Sequence, residues 1–247
     1  MQIIPLPEGV FTVDRSKVFV PFIIGQDELN KRPIGSLLVE VQPFLVITKK
    51  DYILLDTGLG FHSKGKLQIY ENLEKHGVLP GMITKVLLSH LHKDHTGGLC
   101  ISTESGTFLP AFPGATYYIQ GKELENASSK PSTSFFTQTI DFLKDNTQCK
   151  ILHGNGIIDD YIEYHLSGGH SPFHQVFKII EEKEIIFYGG DEAPQLQQMK
   201  NKIIAKYDFD GRKSMHLRQE WWKQGNAEKW FFLFYHDVKT PVFQNNI

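Results

Sequence analysis

The sequence has 247 residues, with 26 basic and 28 acidic side chains, so its formal net charge is −2. Hydrophobic residues make up 40% and charged residues 22%, which is typical of a globular protein and excludes a disordered or fibrous chain. The near-neutral charge argues against a nucleic-acid partner, because such proteins need a basic face. No apolar stretch reaches the roughly 18–20 residues of a membrane span. The first residues lack the basic and apolar regions of a signal peptide, and two cysteines are too few for a disulfide framework. We therefore expect a cytoplasmic protein that binds neither membranes nor nucleic acids.

The first half of the chain predicts strands separated by turns. Residues 37–48 and 52–55 are apolar and β-branched, and the charged turn 49–51 between them indicates a hairpin that ends at Asp56. Residues 66–76 have apolar side chains at helical spacing. A short apolar run at 86–88 then indicates a buried strand.

The middle of the chain, about 101–150, has a weaker pattern. It is rich in Ser, Thr, Pro and Gly, with one strand expected at 116–119 and one helix near 134–145. We predict that this stretch is an insertion that forms a wall or lid within a single domain spanning 1–247.

The second half repeats the outline of the first. Residues 174–180 and 184–189 flank a charged turn and lead to Asp191, so a hairpin followed by an aspartate occurs twice. A helix is expected near 213–224, and the apolar run 230–235 leads to His236. Strands interleaved with helices in two similar halves predict an α/β architecture of two sheets with helices outside them.

The 11 histidines are concentrated at one point of the sequence. The run His90-Leu91-His92-Lys93-Asp94-His95 places four metal-binding side chains within six residues, directly after the apolar run 86–88. Neutral imidazoles and a carboxylate suit zinc and similar ions. Several polar rings after a buried strand would be costly to desolvate without a metal ion, so we predict a metal site here.

This run, with the flanking Ser89 and Thr96-Gly97-Gly98, resembles the HxHxDH signature of the metallo-β-lactamase superfamily. The resemblance extends over most of the chain in the expected order. It implies a four-layer αββα sandwich of two similar halves, the metallo-β-lactamase fold, with the site at one edge between the sheets.

The resemblance also implies a set of seven metal ligands. Three histidines would hold the first metal ion: His90, His92 and His170. Three residues would hold the second: Asp94, His95 and His236. Asp191 would bridge the two ions, and Asp56 would orient ligands without binding metal. The complete set implies two zinc ions, with iron or manganese as alternatives.

Two ions of this kind imply a hydrolase in which Asp94 also orients the nucleophile. The length and spacing are most similar to the lactonase-like group, so the expected substrate is a small molecule with an apolar portion, a lactone or other carboxylic ester. Six aromatic residues are candidates for an apolar pocket, although each could equally pack in the core: Phe19, Phe22, Phe44, Phe135, Phe136 and Trp221. Lactonases of this group have a tyrosine shortly after the bridging aspartate, and residues 191–195 of this chain contain none.

Other activities remain open at this point. A glyoxalase-II-like thioesterase would need a basic patch, for which Lys213, Arg218 and Lys223 are candidates. A phosphodiesterase would need a basic arm. A mononuclear iron dioxygenase of the same fold would leave His95 and His236 without a role, and a structural metal site needs only four ligands. His174 could either pack at the start of a strand or line the pocket. The remaining histidines are expected at surface or structural positions: His62, His76, His153, His165 and His216.

Overall fold

The computed structural model describes residues 1–63, 65–104, 106–129 and 132–245. Its strands are Gln2–Pro5 (β1), Gly9–Val13 (β2), Phe19–Pro21 (β3), Leu37–Val41 (β4), Phe44–Ile47 (β5), Tyr52–Leu55 (β6), His62–Ser63 (β7), Lys66–Leu67 (β8), Lys85–Leu87 (β9), Cys100–Ser102 (β10), Phe108–Pro110 (β11), Thr116–Gln120 (β12), Cys149–Leu152 (β13), Gly156–Ile158 (β14), Ile162–Leu166 (β15), Gln175–Glu181 (β16), Glu184–Tyr188 (β17), Phe231–Leu233 (β18) and Val242–Gln244 (β19). Its α-helices are Gln68–Glu74 (α1), Lys93–Thr96 (α2), Gly121–Ser129 (α3), Thr137–Asp145 (α4), Leu196–Lys200 (α5) and Gly211–Ala227 (α6).

Two six-stranded sheets form the centre of the molecule. The first has the order β1-β5-β6-β9-β12-β13, and the second has the order β14-β15-β16-β17-β18-β19. A three-stranded sheet, β3-β2-β4, adjoins them. The duplication expected from the sequence is visible in both large sheets. An antiparallel hairpin (β5–β6 or β16–β17) is followed by a parallel neighbour (β9 or β18).

Three apolar clusters separate four layers. Alternate residues of one strand enter different clusters, as the period of a pleated strand requires: Ile53 and Leu55 of β6 lie between the two sheets, whereas Leu54 packs toward the helices outside the first sheet. In β17, Ile186 and Tyr188 face the first sheet, whereas Phe187 packs toward α5 and α6. The order of the layers is therefore helix, sheet, sheet, helix, and the predicted αββα sandwich is confirmed.

One predicted strand is divided in the structure. Residues 37–48 were expected to be continuous, but the chain leaves the three-stranded sheet after Val41 and joins the first large sheet only at Phe44. The break falls at Gln42-Pro43, and proline cannot donate to a strand ladder. Because the chain divides here, the carbonyl of Glu40 in β4 lies 2.6 Å from Nδ1 of His236.

The four strands that precede the predicted site residues end at the same edge of the sandwich. β6 leads to Asp56 and β9 leads to His90 in the first sheet, whereas β17 leads to Asp191 and β18 leads to His236 in the second. Each pair of strands is parallel, so the carboxyl ends of both pairs lie at one edge. The fold thereby collects residues that are up to 180 positions apart in the sequence.

Residues 101–150 contribute β12 and β13 to the first sheet, in addition to α3 and α4 on its outer face. Residues 105, 130 and 131 of this stretch lie outside the described part of the chain. None of the helices in the described ranges is long and apolar enough to cross a lipid bilayer.

Candidate metal centre

The structure brings the seven predicted metal ligands together in two adjacent clusters. The first consists of His90, His92, His170 and Asp191, and the second of Asp94, His95 and His236. Within each cluster the potential ligand atoms all lie within 4.8 Å of one another. These side chains are buried except for that of His92, which is partly exposed.

The first cluster is formed by three imidazole nitrogens that point at one another. His92 Nδ1 lies 2.9 Å from His90 Nε2 and 3.1 Å from His170 Nε2. Asp191 Oδ2 lies 3.2 Å from the same His170 nitrogen. Nitrogen lone pairs at this separation repel one another unless a proton or a cation lies between them.

The second cluster shares Asp191 with the first through its other oxygen. Asp191 Oδ1 lies 3.2 Å from His95 Nε2 and 3.0 Å from His236 Nε2. Asp94 Oδ2 lies 3.6 Å and 3.4 Å from the same two nitrogens. The two oxygens of one carboxylate therefore face two different groups of ligands.

The turn of helix α2 presents three of these residues. His92 is the N-cap residue of α2, and Asp94 and His95 lie within its single turn. Gly97 and Gly98, which follow α2, allow a close approach to the loop after β6. A Cβ atom on Gly97 would lie 2.1 Å from the carbonyl oxygen of Leu59, and one on Gly98 would lie 2.4 Å from that of Thr57. The loop after β6 and helix α2 are thus held in direct contact beside the site.

Hydrogen bonds to Nδ1 determine which nitrogen faces the site in four of the five histidines. A carboxylate or carbonyl oxygen can only accept, so its partner nitrogen must hold the hydrogen. Nδ1 of His95 donates to Asp56 Oδ2 (2.7 Å), Nδ1 of His170 to Asp208 Oδ1 (3.0 Å) and Nδ1 of His236 to the Glu40 carbonyl (2.6 Å). Each of these rings therefore turns Nε2 toward the centre. His90 follows the same pattern, because its Nδ1 lies 3.0 Å from Ser89 Oγ and its Nε2 faces the centre. In His92, by contrast, Nδ1 is the nitrogen that faces the other ligands.

Asp56 is fully buried and accepts hydrogen bonds from groups beside both clusters. Its Oδ2 accepts hydrogen bonds from His95 Nδ1, Tyr188 Oη (2.5 Å) and Ser89 Oγ (2.6 Å). Because the single hydroxyl proton of Ser89 goes to Asp56, its oxygen accepts from His90 Nδ1 at 3.0 Å. One buried carboxylate thus sets the ring orientation of His95 directly and of His90 through a serine.

Asp208 orients the ring of His170, as Asp56 orients that of His95. It was not among the residues predicted from the sequence. The segment 208–210 is fixed to the loop of His170 by two backbone bonds, Phe209 N–H to His170 O and Asp210 N–H to Gly169 O. Asp208 lies 38 residues from its partner and has no distinctive neighbours in the sequence. Only the tertiary contact identifies it.

Two buried glutamates hold the loops that bear the ligands. Glu192 Oε1 accepts the N–H groups of Gly169 (2.6 Å) and His170 (2.9 Å). Glu123, at the start of α3, accepts Leu91 N–H and the hydroxyl of Ser171. Glu192 lies within residues 191–195, and its carboxylate is bonded to backbone donors.

His174, which the sequence left ambiguous, lies inside the support of the site. Its Nε2 accepts the backbone N–H of Asp191 at 3.2 Å, and its Nδ1 lies 3.0 Å from Ser167 Oγ. Burial lowers the pKa of His174 to about 4, so the ring is neutral at pH 7 and able to accept that bond. The ring therefore fixes the backbone of the residue that lies between the two clusters.

The electrostatics of the two clusters differ. Burial lowers the pKa of His90 and of His92, the latter to about 3, so these rings are neutral. Burial alone would also lower the pKa of His236, but Asp191 and Asp94 raise it to about 10. Burial raises the pKa of Asp191, yet His236, His95 and His170 outweigh this and hold it well below its usual range. The carboxylates are thus ionised and attract positive charge to the site.

The donor set fits a pair of divalent transition-metal ions. His95 Nε2 and Asp191 Oδ1 are both buried and have no hydrogen-bond partner among the residues that the structure describes. Uncompensated buried polar atoms of this kind are costly, and a cation between them would satisfy both. Three imidazoles with one carboxylate oxygen, and two imidazoles with two carboxylates, are ligand sets that such ions accept.

The other sequence candidates lie in different environments. Of the six aromatic residues, Phe135 contacts the site, with its ring centroid 5.5 Å from that of His92. Phe44 is buried between the sheets, and Trp221 packs against Phe187 outside the second sheet. Arg218 is only 1% exposed and donates to the carbonyls of Glu192 and Ile203, so it does not belong to a surface patch. Four other histidines are exposed and a fifth is half-buried: His62, His76, His153, His216 and His165.

Comparisons with known proteins agree with this architecture. Residues 39–108 match the family described as the Metallo-beta-lactamase superfamily. An N-acyl homoserine lactonase of Bacillus cereus is 24% identical over 258 residues, which cover 95% of this chain and 92% of the relative.

Solved structures with the same fold include two informative neighbours. A probable metal-dependent hydrolase from Staphylococcus aureus superimposes with a TM-score of 0.79 at 19% identity, covering 98% of this chain and 91% of that one. The dizinc quorum-quenching lactonase AidC, bound to a product, gives a TM-score of 0.69 at 23% identity, covering 88% and 79%. Residues 39–108 therefore lie in a metallo-β-lactamase superfamily domain, and the chain as a whole shares the fold of these solved structures.

Proposed function

We infer that this protein is a cytoplasmic dinuclear zinc hydrolase that opens a lactone or cleaves a related carboxylic ester. The observation that supports two ions is the orientation of Asp191. Its Oδ2 lies 3.2 Å from His170 Nε2, and its Oδ1 lies 3.2 Å from His95 Nε2. A mononuclear dioxygenase would leave no role for His95 and His236, both of which face Asp191 Oδ1.

Each protein group has a definable task in this proposal. His90, His92 and His170 would hold one ion, and Asp94, His95 and His236 the other, with Asp191 shared. When bound, such ions polarise the substrate carbonyl and lower the pKa of water toward neutrality. The water oxygen bonds to the carbonyl carbon, the C–O bond to the alkoxy oxygen breaks, and that oxygen takes up a proton. Asp94, whose backbone carbonyl is fixed by Tyr235 Oη at 2.6 Å, is positioned to orient the attacking water.

The lactone or ester substrate is supported by the relatives rather than by a substrate contact. The Bacillus relative is an N-acyl homoserine lactonase, and one structural neighbour contains the product N-hexanoyl-L-homoserine at its metal centre. A thioesterase of the glyoxalase II type is not favoured, because Arg218 is buried and bonded to backbone carbonyls. Zinc is the ion named for a neighbour with this fold and suits these ligands.

We also propose that part of residues 101–150 forms a wall of the site. The carbonyl of Ser134 accepts the backbone N–H of Lys93 at 2.8 Å, and the Phe135 ring lies against His92. The apolar part of a substrate would contact this wall.

A pH-indicator assay on the zinc-loaded protein tests the proposal. Three substrates are compared: N-hexanoyl homoserine lactone, 4-nitrophenyl acetate and S-lactoylglutathione. We expect acid release from the lactone and the ester, and a loss of at least about 100-fold in kcat/KM in Asp191→Asn, because that change removes a shared ligand. Hydrolysis of the thioester alone would contradict a lactone or carboxylic ester as the substrate and would indicate a thioesterase. Activity that survives Asp191→Asn would contradict the dinuclear site.

A further inference from the structure

Glu8, in the connection between β1 and β2, has a buried acidic side chain that lies outside the ligand set. It is only 6% exposed, and acidic side chains are rarely buried to this extent unless they have a partner. Its Oε2 accepts the backbone N–H of Leu59 at 2.6 Å, whereas its Oε1 has no hydrogen-bond partner among the described residues. Burial raises the pKa of Glu8 to about 8, although the bond from Leu59 opposes this shift. Burying this group is unfavourable, so its contact with the loop at Leu59 calls for a role.

The carboxyl group of Glu8 lies directly against the loop that follows β6. A Cβ atom on Gly58 would lie 2.4 Å from Glu8 Cδ, so the contact requires glycine at this position. Gly58 has a φ of +77° and Gly60 a φ of +72°, and residues 57–60 belong to no strand or helix. The backbone N–H of Leu59 therefore depends on an acceptor from outside the loop, which Glu8 provides.

The same loop is bonded to the helix that carries His95. Thr57 donates to the carbonyl of His95 through its backbone N–H (2.7 Å) and through its hydroxyl (3.0 Å). Gly97 N–H donates to the Gly58 carbonyl at 2.8 Å. A Cβ atom on Gly60 would lie 2.1 Å from the Gly97 carbonyl oxygen, so the two backbones are in direct contact. A shift of the loop would therefore move His95, a ligand of the second cluster.

The backbone of Glu8 leads to another ligand of the same cluster. Its N–H donates to the carbonyl of Val41 at 2.8 Å, at the point where β2 and β4 begin to pair. The residue before Val41 in β4 is Glu40, whose carbonyl accepts Nδ1 of His236 at 2.6 Å. The side chain of Glu8 thus supports the loop bonded to His95, and its backbone supports the strand bonded to His236.

The first cluster depends on other supports. Two of its rings are oriented by Ser89 and Asp208. Asp56, to which Ser89 is bonded, is fixed at the end of β6 by its own N–H, which donates to the Leu87 carbonyl at 3.0 Å. In the described part of the chain, Glu8 is hydrogen-bonded to none of these residues. Loss of the Glu8 contact should therefore affect the second cluster more than the first.

We propose that Glu8 is a positioning residue for the second metal ion, the ion that Asp94, His95 and His236 would hold. Its carboxyl group keeps the loop 57–60 against α2, and its backbone joins that loop to the strand that orients His236. This inference rests on the proposed function and identifies what retains one of its two ions. Glutamine can accept the same N–H bond through its amide oxygen, whereas leucine cannot.

The test measures how strongly the folded chain retains each zinc ion. Zinc-loaded wild-type protein and variants are equilibrated with buffers of graded free zinc, bound zinc per chain is determined by elemental analysis, and circular dichroism checks the fold. His236→Ala identifies the binding step that belongs to the second ion. In Glu8→Leu the free zinc that half-fills this step should rise about 10- to 100-fold, whereas the first step should change by less than about threefold. Glu8→Gln should remain close to the wild type in both steps.

Two further variants separate positioning from general stability. Glu8→Asp retains the carboxyl group on a shorter side chain that no longer reaches the Leu59 N–H, so it should also weaken the second step, and it replaces Glu8→Leu if that variant does not fold. Gln68→Leu is the matched control, because Gln68 Nε2 donates to the backbone carbonyl of Glu8 at 2.9 Å and anchors the same residue. Gln68→Leu should lower the melting temperature without changing the ratio of the two zinc affinities.

The outcomes distinguish this role from the proposed function. An unchanged ratio of the two zinc affinities in Glu8→Leu and Glu8→Asp would overturn the role of Glu8, as would an equal change of that ratio in Gln68→Leu. If the wild type hydrolyses the lactone or the ester with two ions that do not depend on Glu8, the proposed function stands and the positioning role is wrong. If retention of the second ion depends on Glu8 but neither substrate is hydrolysed, the positioning role stands and the proposed function fails. A wild-type protein that binds one zinc ion would contradict both.

Discussion

At the scale of single residues, the site is defined by which nitrogen each histidine offers. Four rings have Nδ1 bound to an acceptor and turn Nε2 inward, and the acceptors are of three kinds: carboxylates, a serine oxygen and a backbone carbonyl. These hydrogen bonds already hold the rings in a fixed orientation, so ion binding would need little rearrangement of the rings. The central residue, Asp191, is instead oriented through its backbone, by His174.

The contribution of His174 can be measured with two variants. His174→Leu removes the acceptor of a buried N–H group, and we expect a loss of about 1–3 kcal/mol in the free energy of unfolding. The affinity for zinc should fall about 10- to 100-fold, since Asp191 loses its support. His174→Gln supplies a side-chain carbonyl at a similar distance and should recover part of the metal affinity. Chelator-competition titrations and denaturant unfolding provide the measurements. Wild-type metal affinity in His174→Leu would contradict a positioning role.

At the scale of elements, each hairpin is followed by a parallel strand, so the candidate metal ligands collect at one edge and a cluster of charged residues lies at the other. Lys85 begins β9, at the end opposite His90. Its ammonium group lies 2.6 Å from Asp51 in the first hairpin turn and 2.9 Å from Asp159, which follows β14 of the second sheet. Tyr161 also donates to Asp51. This cluster connects the two sheets far from the metal centre.

Removing the Lys85 side chain tests whether the cluster of Lys85, Asp51 and Asp159 stabilises the fold without affecting the metal centre. Lys85→Ala leaves the buried Asp51 without its cation, and we expect a loss of about 2–4 kcal/mol in the free energy of unfolding. Metal content and kcat/KM should remain within about twofold of the wild type, because the site lies at the other end of the strands. The matched control, Lys183→Ala, removes an exposed lysine and should change stability by less than about 0.5 kcal/mol. A fall in metal content in Lys85→Ala at constant folded fraction would show that the two ends are coupled.

At the scale of the whole molecule, both sheets and their connecting loops contribute to the metal centre. His90 and His95 come from the first half of the chain, whereas His170, Asp191 and His236 come from the second. Ions bound at this edge would therefore bridge the two halves of the sandwich. Binding only to the folded state adds to its stability by mass action.

Metal removal should consequently lower the melting temperature. With free zinc about 1,000-fold above its Kd, one site adds about 4 kcal/mol, which corresponds to roughly 8–16 °C for a chain of this size. Differential scanning calorimetry before and after dialysis against a chelator, with metal analysis of both samples, measures the change. We expect two ions per chain and recovery of the melting temperature on adding zinc back. A stoichiometry of one ion, or an unchanged melting temperature, would contradict the dinuclear centre.

Much of the fold could be predicted because it depends on local patterns, and the family resemblance extended the candidate ligands beyond residues 90–95. Apolar runs of strand length around the charged turns 49–51 and 181–183 predicted both hairpins, and the structure forms both, although Glu181 is already paired with Glu184. The cluster of histidines at 90–95 is dense enough to be recognised without a structure. Where the local pattern was ambiguous the prediction failed: the continuous apolar character of 37–48 concealed a break at Pro43, because hydrophobicity does not show which sheet a strand joins.

The sequence by itself determined the two-sheet architecture, because strand periodicity is a local property, and the cluster of potential ligands at 90–95; the remaining candidate ligands were implied by the family resemblance. Only the tertiary structure decided which groups orient those ligands. Asp208, His174, Ser89 and the Glu40 carbonyl are ordinary residues in the sequence and become supports through contacts across the sandwich. A hydrogen bond between distant residues depends on where the backbone places them, and that placement is a property of the whole packed chain rather than of any segment.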